Sequence, residues 1–397
     1  MHAVKLLHNN LKTSCPTIHS KRLNILIKAT QTLSENQRLS ITELGRDLKS
    51  SAYTKHNIKR IDRLVGNEQL HLERKAIYRV MTQWLVGAVK HPIILVDWSD
   101  LTADREHHLL RAAIPIGGRS LTLYEEVHPM SLYGNRKVHR AFLQVLKELL
   151  PVDTQPIIVT DAGFRAPWFQ AVDDLNWLFV GRVRNREYVL LEGHDDWESS
   201  KTLYKYVSSH PKRLGYAQLS RSNPTSVVFH VVKKAKRGRV KKSLFGLPVH
   251  NARSNKCAGR EREPWLIAVS PSMGTFSAKR IIAIYSKRME IEEGFRDIKC
   301  QRFGLGLSNS LSKIPERLEN LLLLGALALL VIWLTGTVAM MTRCHHQFQS
   351  NTLRKRRVLS VTFVGMLVLR KSPPGVTRKQ LAASIFIARR KFDCAFV

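Results

Sequence analysis

The chain has 397 residues, 44% of them hydrophobic, and carries 64 Lys and Arg against 31 Asp and Glu, a formal charge of +33. That length and apolar content exclude a small disulfide-stapled scaffold or a disordered polyelectrolyte and allow two or three domains with sizeable cores. A cation excess spread over the whole chain, not confined to a tail, points to a polyanionic partner, and nucleic acid is the commonest. A basic protein merely kept soluble by its charge is the alternative.

The N-terminal decapeptide MHAVKLLHNN has no apolar h-region, so no secretory signal is expected and the protein is placed in the cytoplasm. Residues 1–85 read as helical. Ser40 and Glu43 have capping-box spacing at the start of a helix that ends near Leu48. A Ser-Ser-Ala turn follows, then a cation-rich helix containing Lys55, Lys59, Arg60 and Arg63. The rhythm is that of a helix-turn-helix, with a plain helical bundle as the alternative.

Residues 92–96 form the short apolar run of a buried strand. Runs 109–116 and 120–127, joined at Gly117-Gly118, predict a hairpin. Residues 138–150 have helical spacing, 156–160 form another apolar strand, 164–172 read as helix and 177–183 as strand. This order predicts a mixed α/β sheet with helices on its faces. Between 184 and 264, strand-like runs such as 226–232 alternate with Gly, Pro, Ser and basic clusters. That segment reads as a β-rich insertion whose loop at 233–242 contacts phosphates.

Residues 281–300 predict one helix. Tyr285, Arg288, Glu292 and Lys299 have offsets 0, 3, 7 and 14. At about 100° per residue they fall within roughly 60° of arc, over about 21 Å of axis. Ile284, Ile291, Phe295 and Ile298 form an apolar flank beside them. Residues 321–341 are uncharged and long enough to span a bilayer. As a single segment containing Gly325, Thr335, Gly336 and Thr337, it reads as a core helix buried on all sides. Residues 345–397 read as a basic helical tail. Cys15, Cys257, Cys300, Cys344 and Cys394 are scattered without a C-x-x-C pair, which fits a reducing compartment and no zinc module.

Two carboxylates stand at strand ends. Asp97 follows Ile93-Ile-Leu-Val96, and Asp161 follows Ile157-Ile-Val-Thr160. Ligands gather at strand ends in open α/β sheets, although a turn or cap aspartate looks the same in isolation. With Glu292 they make a set of three suited to two Mg²⁺ ions about 3.5–4 Å apart. Glu290 and Glu293 lie about 160° and 100° around the helix from Glu292 and face elsewhere. Asp100 stays open as a competitor.

The segments VDWSD at 96–100 and TDAGF at 160–164, with Tyr285-x2-Arg288-x3-Glu292-x6-Lys299, resemble the DDE transposases of the insertion sequence four family. TKHNIKRIDRLVGN and IYSKRMEIEEGFRD are similar to its insertion-sequence-ten branch. The resemblance runs from about residue 15 to near the C-terminus. It implies a ribonuclease-H-like mixed-sheet core interrupted by the β-rich insertion and flanked by helical regions. The parts are a helical DNA-binding domain at 1–85, core at 86–183, insertion at 184–264, core again at 265–344, and a helical region at 345–397. It implies cut-and-paste transposition with Asp97, Asp161 and Glu292 as ligands of two Mg²⁺ ions, Mn²⁺ being a substitute. Water nicks the transposon end, the freed 3′-OH forms a hairpin on the opposite strand, water reopens it, and the 3′-OH joins target DNA. Tyr285, Arg288 and Lys299 match the motif residues that hold phosphates. Trp265 sits where a relative stacks a flipped base, although one Trp beside a strand is more often core. The implied partners are transposon ends with terminal inverted repeats, target DNA and a second copy of the chain on paired ends, with no membrane and with the bacterial nucleoid as the workplace. Competing readings are a non-catalytic DNA-binding regulator, a tyrosine recombinase using Tyr285 as nucleophile, and a membrane protein.

Overall fold

A computed structural model describes residues 2–102, 104–184, 187–234, 263–302, 304–353, 358–371 and 377–397. Most of the basic run at 233–242, and Cys257, lie outside the described residues. The chain divides into two compact units, Met1–Pro156 with Lys287–Phe396, and Ile157–Ser286 with Val397.

The first unit opens with α1 (His2–Ser14), α2 (Ser20–Asn36), α3 (Ile41–Asp47), α4 (Thr54–Val65) and α5 (Glu68–Val86). Side chains close the amide groups that a helix start leaves without partners. Ser40 Oγ accepts from Glu43 N at 3.2 Å, and Asn67 Oδ1 accepts from Leu70 N at 2.8 Å. Only half of the expected capping box forms, because the Glu43 carboxylate pairs with Arg38 and Arg46. An antiparallel meander follows, β1 (Ile93–Asp100), β2 (His107–Pro115) and β3 (Ser120–Pro129), in the order β3-β2-β1. Gly117 and Gly118 make the hairpin turn at φ 86° and 91°, where a side chain is disfavoured. α6 (Arg136–Leu149) completes this stretch, started by Asn135 Oδ1 accepting from Lys137 N at 2.8 Å.

The second unit holds β4 (Ile157–Thr160), α7 (Ala166–Asp173), β5 (Leu178–Val183), β6 (Tyr188–Leu191), β7 (Glu198–Ser199), β8 (Lys212–Leu219), β9 (Thr225–Val232), β10 (Trp265–Val269) and α8 (Ala278–Ser286). Its strands run in the order β4-β5-β10-β9-β8-β6-β7. β4 and β5 are parallel and the other pairs antiparallel, so the sheet is mixed. β6 to β9 fall within the 184–264 segment and make it rich in strands. α7 packs on β5 through Phe169, whose ring stacks on Phe179 at 4.8 Å.

The chain returns to the first unit with α9 (Met289–Lys299), α10 (Pro315–Met341), α11 (Val361–Arg370) and α12 (Arg378–Phe392). α10 is the one helix among the described residues long and apolar enough to cross a membrane, and its apolar stretch is entirely buried within the unit. It packs against α1, α2, α5, α11, α12 and β3. Its polar end is paired internally: Glu319 accepts from Val127 N at 2.8 Å and meets Arg74, and Asn320 Nδ2 donates to Val65 O at 2.9 Å. Burial on every side is what an all-round apolar helix requires.

Two expectations need correction. The single helix expected over 281–300 is two helices, interrupted at Lys287 and Arg288. Ser286 Oγ donates to Ile282 O at 2.6 Å, a back-bond that competes with the helical ladder and bends it. Asp97 also lies within β1 and does not follow it. Trp98, Ser99 and Asp100 continue to pair with Leu110, Leu109 and His108 on β2.

Candidate active site of the first unit and aromatic cluster of the second

Asp97 is carried on β1, next to Arg111 of β2 in register. Glu292 projects from the first turn of α9 and is 47% exposed, so it is open to solvent and ligand. Arg288, at the start of α9, joins them. Its Nη1 lies 3.3 Å from Asp97 Oδ2, and its Nη2 lies 2.8 Å from Glu292 Oε1. The helix reaches β1 because Ile291, Phe295 and Ile298 are buried on its inner side, as the apolar flank predicts. Asp97 Oδ1 also accepts from Trp98 N at 2.8 Å, which fixes the carboxylate's orientation.

Lys299, at the end of the same helix, donates to Ser99 Oγ and to Asp100 O. Burial, foremost, and the nearby Arg111 charge bring its ammonium down to about 8. Beneath it, Arg111 forms a fully buried pair with Glu125, Nη2 to Oε2 at 2.6 Å, and Tyr78 Oη donates to Glu125 Oε1 at 3.0 Å. The Phe295 ring lies 4.9 Å from the Arg111 guanidinium and 5.2 Å from Lys299 Nζ, placing a negative π face among cations.

The competitors are engaged elsewhere. Glu290 accepts from Gly117 N at 2.9 Å, and Glu293 meets Arg119 at 3.0 Å and Arg296 at 2.5 Å. Asp100 pairs with Arg105 at 3.2 Å and His108 at 3.4 Å. Each leaves Glu292 as the carboxylate that shares Arg288 with Asp97.

In the second unit Asp161 follows β4, as expected. Its Oδ1 accepts from Gly163 N at 2.7 Å, an Asx turn that holds the carboxylate at the strand end. Trp265 starts β10 and meets the Tyr285 ring edge-on at 4.8 Å. Lys234 Nζ lies 4.8 Å from the Trp265 ring centre and 3.3 Å from Ser286 Oγ. Tyr285 is itself buried and lies against the Trp265 ring.

Thus Asp97, Arg288 and Glu292 come together with Lys299 on the first unit, and Trp265 and Tyr285 come together on the second. Sequence reasoning placed Phe295 on the apolar flank and Lys234 in the basic run, but missed Arg111 and Glu125. Arg111 within HLLRAAI and Glu125 within LTLYEEV were the available signal, since charges inside buried strands need partners.

The sequence profile of the transposase DDE domain matches residues 89–331, more than half of the chain. The chain belongs to the DDE transposase family. The matched span includes Asp97, Asp161 and Glu292. No curated protein matches the chain. The transposase has a ribonuclease-H-like α/β core, is an enzyme of the nuclease and transferase type, and is expected to bind DNA. Its family typically uses divalent metals. Among the described residues no group of three His, Cys, Asp or Glu gathers to hold a metal. Asp97 and Glu292 offer hard carboxylate oxygens of the kind divalent ions take, and both face the Arg288 guanidinium.

Proposed function

We propose that this is an insertion-sequence-four-type transposase that moves its element by cut and paste. Asp97, Asp161 and Glu292 would hold two Mg²⁺ ions, with Mn²⁺ as a substitute. When bound, such ions make a water or 3′-hydroxyl a better nucleophile and stabilise the leaving oxygen. The proposed sequence is nicking at the transposon end, hairpin formation on the opposite strand, reopening by water, and joining of the 3′-OH to target DNA.

The chain's own residues divide the remaining work. Arg288 offers a planar fork of donors suited to phosphate oxygens, and Lys299 offers a point charge beside β1. Trp265, propped by Tyr285 and flanked by Lys234, offers an aromatic face for an extruded base. Residues 1–85 would bind DNA together with the basic surface. The partners are transposon ends bearing terminal inverted repeats, target DNA, and a second copy of the chain across paired ends, at the nucleoid of a bacterial cytoplasm.

The observation that carries this reading is the Arg288 link between Asp97 and Glu292. A DNA-binding regulator has no need of two carboxylates gathered at one guanidinium. The test uses the full-length protein, Mg²⁺ and a duplex carrying the element's end. Glu292→Ala and Asp97→Ala should each lose all nicking, hairpin and joining products while retaining end binding. Persistent nicking by Glu292→Ala, or loss of binding in place of cleavage in Asp97→Ala, would overturn the assignment.

A further inference from the structure

The side of α9 turned away from Glu292 is tied to one short turn, and the chemistry proposed above does not use that tie. At about 100° per residue, Glu290, Glu293 and Asp297 lie roughly 160°, 100° and 140° around the helix from Glu292. All three carboxylates meet the hairpin between β2 and β3. Glu290 Oε2 accepts from Gly117 N at 2.9 Å, and Gly118 N also donates to this carboxylate. Arg119 takes the other two. Its Nη1 donates to Glu293 Oε2 at 3.0 Å, and its Nε lies 2.9 Å from Asp297 Oδ2. Arg119 Nη1 also reaches Gly118 O at 2.9 Å, which holds the guanidinium against its own turn. Between these ties a Cβ on Gly294 would collide with Ser120 Oγ, so the helix backbone lies directly on the hairpin.

α9 has need of a directional hold. Its first turn has no side-chain cap, and the helical ladder is interrupted just before it, at Lys287 and Arg288. Glu292 is 47% exposed and rests on Arg288, so its place depends on the helix that carries it. The buried Ile291, Phe295 and Ile298 press that helix onto the strands. Apolar burial is non-directional, and by itself it leaves a helix free to roll or slide. Bonds between a guanidinium and carboxylates are directional and strong.

We infer that Arg119 is a positioning residue for Glu292, acting through α9 from the side opposite the reacting centre. The inference rests on the assignment of Glu292 to that centre made above. Glu293 and Asp297 are four residues apart, about 6 Å along the axis. One guanidinium gripping both fixes the roll of α9 and its travel along its axis together, which a single ion pair cannot do. The planar fork of arginine can reach two carboxylates at once, whereas a lysine ammonium is a single point charge. Glu290 on the turn amides is the second tie, placed in the same helical turn as Glu292.

The test uses the full-length protein, Mg²⁺ and a duplex carrying the element's end, with kcat and KM for nicking, end affinity by anisotropy, and hydrogen exchange of residues 289–299. Rates are taken well below the melting temperature of each variant. Arg119→Ala should lower kcat on the order of tenfold to a hundredfold, the effect of misplacing a reacting group by about 1 Å. KM and end affinity should stay near wild type, and exchange in α9 should quicken. Asp297 is buried, so Arg119→Ala leaves a charge without its partner and should melt early. Arg119→Ala/Asp297→Asn removes that orphaned charge and should melt near wild type while nicking stays slow. Arg119→Lys should fall between wild type and Arg119→Ala. Nicking that recovers along with melting in the double variant overturns the inference, since Arg119 would then only balance a buried charge. A loss confined to KM or end affinity overturns it too, since Arg119 would then touch DNA. Glu292→Ala, measured in parallel, separates the two readings: if it is inactive and Arg119→Ala nicks at full rate, only the positioning role falls.

Discussion

Lys299 shows how far one side chain's environment governs its use. In the fold its ammonium is brought down to about 8, chiefly by burial. A neutral amine cannot hold a phosphate by charge. Bound phosphate stabilises the ammonium and raises its pKa, so binding above about 8 takes up a proton and must weaken as pH rises. DNA affinity of the wild type is expected to fall from about pH 8 towards the ordinary lysine pKa near 10.4. Lys299→Arg should remain nearly flat over that window, because a guanidinium stays charged. Parallel anisotropy curves for the two proteins would show that Lys299 does not hold DNA phosphate. At this scale the sequence exposed Asp97, Asp161 and Glu292 through residue type and apolar flanks. It concealed the pairing of Arg111 with Glu125, because the irregularity at Ala112/Ala113 sets the register that places them opposite each other in the predicted hairpin.

The elements themselves were legible where one local rule sufficed. The apolar runs before Asp97 and Asp161 form strands, and Gly117-Gly118 forms the hairpin turn. The interruption after Ser286 was not legible, since the apolar period passes through it and the cause is a hydroxyl back-bond. Helix contacts had the same opacity. A Cβ on Gly336 of α10 would lie 2.1 Å from Val361 O of α11, whereas one on Gly325 would meet the end of the Ile298 side chain at 2.6 Å. A backbone carbonyl cannot swing aside, while a side-chain tip can. Gly336→Ala should therefore cost about 1–3 kcal/mol of stability, and Gly325→Ala less. Urea unfolding of the two variants measures the difference, and equal costs would refute the close α10–α11 contact.

For the whole molecule, a charge of +33 makes ionic strength act in two opposite directions. Screening relieves self-repulsion in the compact state, so the melting temperature should rise as salt is added. The same salt should weaken DNA binding, with a log–log slope of about −0.9 per phosphate contacted on duplex. A melting temperature that falls with salt would show that attractive ion pairs, such as Arg22–Glu73 at 2.5 Å, outweigh the net repulsion.

The buried α10 has a consequence for how the chain is made. Until it is covered, its apolar stretch is as acceptable to a lipid bilayer as to the protein interior. The helices α1, α2 and α5 leave the ribosome before it, so most of its cover already exists when it emerges. α11 and α12 arrive last. A message cut short after residue 341 would yield a chain with one side of this helix unclothed, prone to aggregate or to be diverted to a membrane. The C-terminal helices thus act as the completing half of a sheath, and synthesis through them decides whether this stretch ends as core or as a misrouted anchor.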